Sequence, residues 1–520
     1  MHDWSGSGKT NRNRFGKELM KMPEQFGQDE HSQTAQKKPL YTSLEDNIAY
    51  IVDQFNETDD LIVEDFFYGK LKGKLLFLNT MADPKKIDEL LYNHLKREKK
   101  ATTEKMLRAT LAVQSIDDFD NVISEILKGS TVLILQGESE AFSFNTAIER
   151  ERQPVEPDTE KTVRGSHLGF VEDLNTNLYL LRNRIQNNEL KITYLNVGFE
   201  SKKNVAIVYF DHIANKEIVN EVIKKVSMIS IDTVFSPGYI EECIETAPFS
   251  PFPQNLYTER PDRVEAHLME GRVAIFTDGS TEAIILPVTF FAFFQSPDDY
   301  NSRFIPGTVF RLLRLFSFFG VLLLPPLYIA FVSFHFEIIP YELVSLVKGS
   351  VSGVPLLPFF EAMFMAITVE LIREAGVRLP TPIGETIGIV GGIIISDAVV
   401  SAGLVSNVMV IVVALTAIMS FTISTYEMGN AVRIANFPIM VAAALFGFAG
   451  IVIAMLVLTI HLCKMESYGV PYLSPLTPLR FKELTDSVLR LPIWLFEKRP
   501  KDLRTQKDKR QYQSREWFYD

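Results

Sequence analysis

The composition of the chain changes abruptly near residue 282. Residues before that point are mixed and charged, whereas residues 283–463 consist mainly of long apolar stretches, and a charged tail follows. No Lys or Arg occurs between Arg378 and Arg433. Because a helix that crosses a bilayer needs about 20 apolar residues, the apolar block predicts a helical membrane domain.

Candidate spans are recognised by length and by lack of charge. They are residues 315–334, 356–371, 383–400, 404–424 and 437–463. Residues 283–294 are too short to span and are expected to be re-entrant, interfacial or the last strand of the head. These lengths predict about four to six crossings. Basic residues precede the first span and follow the last, so the positive-inside rule places both chain ends in the cytoplasm and requires an even number of crossings.

The charged part of the sequence shows the patterns of helices and strands. Apolar residues recur on one helical face from Leu44 to Phe55. A β-branched run at 131–136 predicts a buried strand. Further predicted strands lie at 192–197, 205–210, 273–276 and 283–286, and an amphipathic helix lies at 216–226. Strands that alternate with helices favour an α/β fold.

These patterns predict a multi-domain membrane protein with a two-lobed α/β N-terminal head and an α-helical polytopic membrane domain. The predicted parts are a disordered polar tail (1–40), a helical and α/β first lobe (41–150), a second α/β lobe (151–282), the membrane domain (283–463) and a charged cytoplasmic tail (464–520). A proline-rich connector, 247–262, lies within the second lobe. Its prolines at 248, 251 and 253 exclude regular helix there.

Several classes of function are disfavoured by the sequence. The net charge of −11 argues against nucleic-acid binding. Cys243 and Cys463 make no metal or CxxC pattern, and there is no HExxH, GxSxG or complete P-loop motif. The first 40 residues lack an apolar signal segment, so the head is expected to stay in the cytoplasm. We therefore expect no enzymatic activity, no cofactor and no metal site.

Small residues recur at every fourth position in one apolar segment. They are Gly384, Gly388, Gly392 and Ser396, with Asp397 directly after them. On a helix they form one narrow stripe, which lets helix backbones approach closely in lipid. Two interpretations stay open: packing between helices of one chain, or the lining of a pore between subunits.

Charged residues also lie in or near the apolar segments. Glu370, Arg373 and Glu374 share one helix face, so a local ion pair is expected. The same residues also fit a solvated loop at the membrane surface. A ring of carboxylates in an oligomer would instead favour cations.

Several motifs together resemble the A-subunit family of GerA-type spore germination receptors. They are Arg164-Gly165, GFVEDLNTNL (169–178), SPFPQ (250–254), TERPD (258–262), GRVAI (271–275), QSPDDY (295–300), ELIREAGVRLP (370–380), Ile383-Gly384 and GIVGG (388–392). The resemblance covers residues 45–495. It implies a multi-pass subunit in the inner membrane of endospores that signals nutrient-triggered germination as an oligomeric ligand-gated ion channel.

The same resemblance implies partners: a transporter-like B subunit, which would bind most of the nutrient germinant, a lipoprotein C subunit, membrane lipid and further copies of this chain. The motifs are also compatible with an accessory channel that acts with the dipicolinate-release system. Two other classes of function stay open: a secondary solute transporter, and a scaffold whose head binds partners and whose helices only anchor it. If the chain is a receptor subunit, we predict that the proline-rich connector and the TERPD motif after it couple the head to the membrane domain. The residues concerned are Pro251, Pro253, Arg260 and Asp262.

Overall fold

The computed structural model describes residues 38–68, 71–93, 114–148, 156–157, 159–378, 397–481 and 483–511. The first lobe is a five-stranded sheet with helices. Its elements are α1 (Leu44–Gln54), β1 (Leu61–Tyr68), β2 (Leu71–Leu78), α2 (Pro84–Ile87) followed by a π-helix (Asp88–Asn93), β3 (Gln114–Ile116), α3 (Phe119–Leu127), β4 (Thr131–Leu135) and β5 (Ala141–Phe144). Ser43 and Asp118 cap α1 and α3 by accepting from backbone N–H groups of the first turn.

The second lobe is also built on a five-stranded sheet. Its elements are α4 (Leu174–Arg184), β6 (Leu190–Val197), β7 (Lys203–Phe210), α5 (Lys216–Ser227), α6 (Pro237–Ile244), β8 (Leu256–Thr258), α7 (Pro261–Met269), β9 (Val273–Thr277) and β10 (Ala283–Leu286). The predicted strands and the amphipathic helix of this lobe are confirmed. The described strand pairs of both sheets are antiparallel, and β1–β2, β4–β5, β6–β7 and β9–β10 are each joined by a short connection.

The two lobes share one topology. The first sheet has the strand order β1-β2-β4-β5-β3, and the second has β6-β7-β9-β10-β8. Both lobes begin with a helix whose fourth residue is a buried asparagine. Asn47 bonds both the N–H and the carbonyl of Tyr41, and Asn177 does the same to Val171. Each asparagine thus supplies hydrogen-bond partners to the backbone N–H and carbonyl of a residue in the segment that precedes its own helix.

The two lobes meet at a buried ion pair. Arg182 Nη2 lies 2.9 Å from Asp60 Oδ1, and both side chains are at most 1% exposed. Beside it the backbone N–H of Asp59 donates to the carbonyl of Ile192 at 3.0 Å. These contacts cover part of the outer edge strand β6, which would otherwise leave backbone groups unpaired.

Long apolar helices follow the second sheet. After a 3₁₀ turn (Phe290–Phe294) come α8 (Pro297–Asn301), α9 (Phe304–Ser333), a 3₁₀ turn (Phe336–Ile338), α10 (Tyr341–Val351), α11 (Pro358–Arg378), α12 (Asn407–Phe421) and α13 (Tyr426–Lys464). The C-terminal segment adds β11 (Glu466–Ser467), β12 (Val470–Pro471) and α14 (Leu484–Ser487), with 3₁₀ turns at Ile493–Leu495 and Lys501–Leu503. One apolar core runs from the second sheet into these helices, since Phe290 and Phe294 pack on Phe318 of α9 with ring centroids 5.2 and 5.6 Å apart.

The helices only partly match the spans predicted from sequence. In the described part of the chain α9 and α13 are long and apolar enough to cross a membrane. The segment 404–424 yields α12, which has 15 residues and is shorter than a span. Of the alternatives for residues 283–294, the head strand is the one found, because Ala283–Leu286 pairs with β8 and β9. The helical block therefore begins after Leu286 and not at residue 283.

Candidate head–membrane coupling site

Arg260 is fully buried where β8 passes into α7. Its guanidinium holds Asp262 through two hydrogen bonds, 3.0 Å from Nε to Oδ1 and 2.7 Å from Nη2 to Oδ2. The same group donates to the carbonyls of Glu160 and Ser166 at 3.2 and 2.8 Å and to Thr162 Oγ1 at 3.0 Å. A planar guanidinium suits such a multiple role. The two predicted residues Arg260 and Asp262 thus fix the 160–166 loop.

The 160–166 loop in turn contacts α8. Asp298 Oδ1 accepts from the backbone N–H groups of Val163 and Arg164 at 3.2 and 3.4 Å, and Asn301 Nδ2 donates to the Arg164 carbonyl at 2.8 Å. Gly165 has φ +114°, and a Cβ added there would overlap the Asn301 side chain. The Arg164-Gly165 motif therefore needs glycine for both its backbone angle and its close approach.

The short helix α8 carries Asp299, which joins the head to α9. A capping box with Ser296 fixes the start of α8. Asp299 is 1% exposed and accepts from Arg311 Nε at 3.3 Å and from Arg314 Nη1 at 2.8 Å. Arg314 also donates to the carbonyl of Phe294 at 3.0 Å. Two arginines of the first long apolar helix are thus held by one buried carboxylate.

The C-terminal segment closes the same cluster. Arg311 donates through Nη1 to the carbonyl of Asp486, and the hydroxyl of Tyr300 donates to Asp486 Oδ1 at 3.0 Å. The guanidinium carbons of Arg311 and Arg490 lie 5.4 and 5.7 Å from the Tyr300 ring centre, within cation–π range. Burial raises the pKa of Asp486 above its ordinary value. The cluster formed by Asp299, Tyr300, Arg311, Arg314 and Asp486 is called the α8–α9 clasp below.

The proline-rich connector makes a second contact with the helices. Ser250 Oγ lies 2.8 Å from His461 Nε2 near the end of α13, and the hydroxyl of Tyr472 donates to the Pro253 carbonyl at 2.7 Å. Pro253 is buried, whereas Pro251 is exposed. The connector thus lies against the C-terminal end of the last long helix.

A third contact lies at the turn between α12 and α13. Ser424 Oγ and Thr425 Oγ1 donate to the carbonyl of Phe293 at 2.9 and 3.3 Å. Phe293 belongs to the 3₁₀ turn that follows β10. The end of the second sheet is thereby bonded to a helix connection as well as to α9.

Acidic residues gather beside the connector. Burial raises the pKa of Glu282 to about 7, and the nearby carboxylates of Glu427, Glu259, Glu160 and Glu241 contribute to that rise. Glu245 follows the same pattern, because burial and then Glu241 raise its pKa to about 7. Like charges in a partly buried site favour the protonated forms.

Of the predicted residues of the apolar block, the structure describes Glu370 and Asp397. Glu370 Oε1 lies 3.3 Å from Arg373 Nη1 and 3.0 Å from Arg433 Nε, which gives the expected local ion pair an additional partner from α13. Asp397 is exposed and helical. Gly384, Gly388, Gly392 and Ser396 lie outside the described residues.

Two features of the structure were not predicted from the sequence. One is the clasp, in which Asp299 pairs with Arg311 and Arg314; the signal was the presence of two aspartates shortly before arginines that open an apolar helix. The other is the partner of Glu361, a carboxylate that the sequence places within an apolar segment: it is 0% exposed and accepts from the backbone N–H and the hydroxyl of Ser406 at 3.2 and 3.0 Å. A carboxylate inside an apolar helix requires such donors.

Comparison with known proteins supplies the family. The family described as Bacillus/Clostridium GerA spore germination protein matches residues 49–502. Spore germination protein A1 of Bacillus subtilis is 38% identical over 88% of this chain and 95% of its own length. The uncharacterized membrane protein YfkQ of the same organism is 36% identical over 89% of this chain and 92% of its own.

Further similarity extends to another organism and to one solved structure. Spore germination protein GerLA of Bacillus cereus is 40% identical over 74% of this chain and 79% of its own. The crystal structure of the N-terminal domain of the A subunit of the Bacillus megaterium spore germinant receptor GerK3 aligns with a TM-score of 0.38 and 26% identity, over 49% of this chain and 98% of that domain. From the family match and the length of the shared sequence, this chain belongs to the GerA family of spore germination proteins.

Proposed function

We propose that the chain is the A subunit of a germinant receptor in the spore inner membrane and that it converts nutrient sensing into germination. The proposal is supported by relatives named as spore germination proteins that share most of the length of this chain. In this role a transporter-like B subunit binds the nutrient and a lipoprotein C subunit completes the receptor. The head and the C-terminal tail lie in the cytoplasm, and the polytopic helical block crosses the membrane an even number of times.

The observation that carries this proposal is the continuous set of polar contacts from the head to α9, which is buried at Arg260 and at Asp299 and exposed where the 160–166 loop meets α8. Arg260 holds the 160–166 loop, the loop is bonded to Asp298 and Asn301, and the next residue after Asp298 pairs with Arg314. The Arg260–Asp262 and Asp299–Arg314 pairs at the two ends of this set have few alternative arrangements, because separating either pair leaves an uncompensated buried charge. A displacement of the head would therefore move α9 with it.

The coupling role is tested in spores with Asn301→Ala. This change removes the bond to the Arg164 carbonyl and leaves the ion pairs of Asp299 intact. We expect slower nutrient-triggered germination at an unchanged protein level in immunoblots. Glu200→Gln, at an exposed position of the second lobe, is the matched control. Wild-type germination rates in Asn301→Ala spores would contradict the coupling role.

The output of the receptor is proposed to be ion flow through an oligomer of this subunit. The spacing of Gly384, Gly388, Gly392 and Ser396 supports close contact between helices, with Asp397 near the end of the stripe and Glu370 on a neighbouring helix. Gly392→Leu and Asp397→Asn are expected to alter ion release in spores, and an unchanged response for both would remove the pore assignment. The purified protein in liposomes distinguishes the classes of function. Ion leak supports a channel, counterflow of a labelled solute supports a transporter, and the absence of both supports a scaffold.

A further inference from the structure

A cleft that contains a few charged and polar side chains lies among four of the apolar helices. It encloses about 460 Å³ of space, its open mouth included. Helices α9, α11, α12 and α13 all contribute to its walls. Most of the lining is small or apolar, as in ligand sites where a few polar groups fix orientation. Its polar members are Glu370, Arg373, Thr416, Ser420, Arg433 and Asn436.

The charges that line the cleft do not balance. Arg373 and Arg433 both pair with Glu370, at 3.3 and 3.0 Å. Two guanidinium groups and one carboxylate leave a net charge of one positive unit among these lining residues. Arg373 is held in place, because Nη2 donates to Ser420 Oγ at 2.9 Å and its guanidinium carbon lies 4.9 Å from the Phe421 ring centre. The excess positive charge is therefore carried by a fixed group.

Two buried polar atoms of the cleft residues have no hydrogen-bond partner within the described part of the chain. They are Arg373 Nε, a donor, and Asn436 Oδ1, an acceptor. Asn436 is 6% exposed, so water reaches it poorly. An unpaired buried polar group costs about 1–3 kcal/mol, and such groups are rare enough in native proteins to call for an explanation.

We propose that the cleft binds a small carboxylate that also carries a hydroxyl donor. The carboxylate offers the acceptor that Arg373 Nε lacks and the negative charge that the two arginines require. The donor of the ligand satisfies Asn436 Oδ1. The net positive charge disfavours a cation, and the paired charges disfavour a purely apolar ligand. This site shares Glu370 with the residues proposed for the channel, but ligand binding at Arg373 and Asn436 requires neither ion flow nor coupling.

The test uses the purified full-length protein in detergent with three sodium salts. Lactate carries the carboxylate and the hydroxyl, propionate lacks only the hydroxyl, and chloride supplies the anion alone. In calorimetric titration we expect lactate to bind about tenfold or more tightly than propionate, because one buried hydrogen bond distinguishes them. Chloride should bind more weakly than both. Equal binding of all three salts, or none, would overturn the proposal.

Variants assign the binding to the cleft. Arg373→Gln is expected to weaken the binding of lactate by about tenfold or more. Asn436→Leu, which replaces an unpaired acceptor with an apolar group, should abolish only the preference for lactate over propionate. Arg378→Gln, on the same helix with a side chain that is 78% exposed, is the matched control and should bind like the wild type. If Asn436→Leu folds and keeps the full preference, the site lies elsewhere.

Discussion

Asp299 Oδ2 lies 2.8 Å from Arg314 Nη1, and this pair joins the last short helix of the head to the first long apolar helix. Asp299 also accepts from Arg311, so one buried carboxylate compensates two guanidinium groups. Removing one member of a buried charge pair is more costly than the pair itself is stabilising, because the remaining charge is left in a poor solvent. The clasp is consequently the place where the largest mutational effects are expected.

Asp299→Asn is expected to lower the free energy of unfolding by about 3–5 kcal/mol. The amide keeps the shape of the side chain but leaves Arg314 without its counter-charge and Arg311 with only Asp486, whose Oδ1 lies 3.4 Å from Arg311 Nη1. Thermal unfolding of the purified protein measures the effect. Asp65→Asn is the control, since its carboxylate is 63% exposed beside Lys74 and should cost under about 1 kcal/mol. Equal losses for the two variants would contradict the role assigned to Asp299.

Gly165→Ala is expected to destabilise the protein by about 1–3 kcal/mol, because an alanine is strained at positive φ and its Cβ would overlap Asn301. Thermal unfolding measures the change. Gly238→Ala is the matched control: a Cβ there meets only Ser236 Oγ, at 3.6 Å, and lies in a helix that favours alanine. A neutral Gly165→Ala would show that the 160–166 loop is free to rearrange.

Stability is expected to fall as the pH drops below 6.5 because of His267. Burial lowers the pKa of this histidine from 6.5 to about 4, and the positive charge of Arg272 contributes. Between these values the unfolded chain binds a proton that the folded chain does not, which lowers the free energy of unfolding by up to about 3 kcal/mol. Glu282 and Glu245, whose pKa values are raised to about 7, contribute in the opposite sense in this range. The effect of His267 is therefore the difference between variants: the loss of stability from pH 7 to pH 5 should be smaller in His267→Gln than in the wild type. His167→Gln, at a site that is 56% exposed, should retain the wild-type slope.

Glu282→Gln is expected to stabilise the head slightly above pH 7 and to have no effect near pH 4. The pKa of Glu282 is raised from 4.5 to about 7, so the folded chain keeps a proton that the unfolded chain releases in this range. Ionisation therefore destabilises the fold as the pH rises from 4.5 to 7. Because the site is partly open to solvent, the gain should stay under about 1 kcal/mol. A stabilisation of the same size at pH 4 would exclude this electrostatic cause.

Local patterns predicted the elements of the head well. The β-branched run at 131–136 gives β4, and the helical face from Leu44 to Phe55 gives α1, where Ser43 supplies the cap. Such features depend on neighbouring residues alone. The strand order depends on contacts between distant segments, and no local pattern specifies it.

The candidate site and the spans were predicted less completely. Arg260 and Asp262 were identified from a motif, but the pairing of Asp299 with Arg311 and Arg314 depends on how the short helix α8 turns the chain. The apolar segment 404–424 yields a helix only from Asn407, because Ser406 both caps it and bonds Glu361. An apolar run thus sets an upper limit to the length of a helix, and its polar residues set the ends.

The shared strand order of the two lobes lets equivalent positions be compared within one chain. Both modules have the same connectivity and an asparagine at the fourth position of the first helix. They differ in their contacts: the first presents Asp60 to its neighbour, and the second leads into the apolar helices. Exchanging equivalent strands between the modules would therefore separate what the fold requires from what signalling requires.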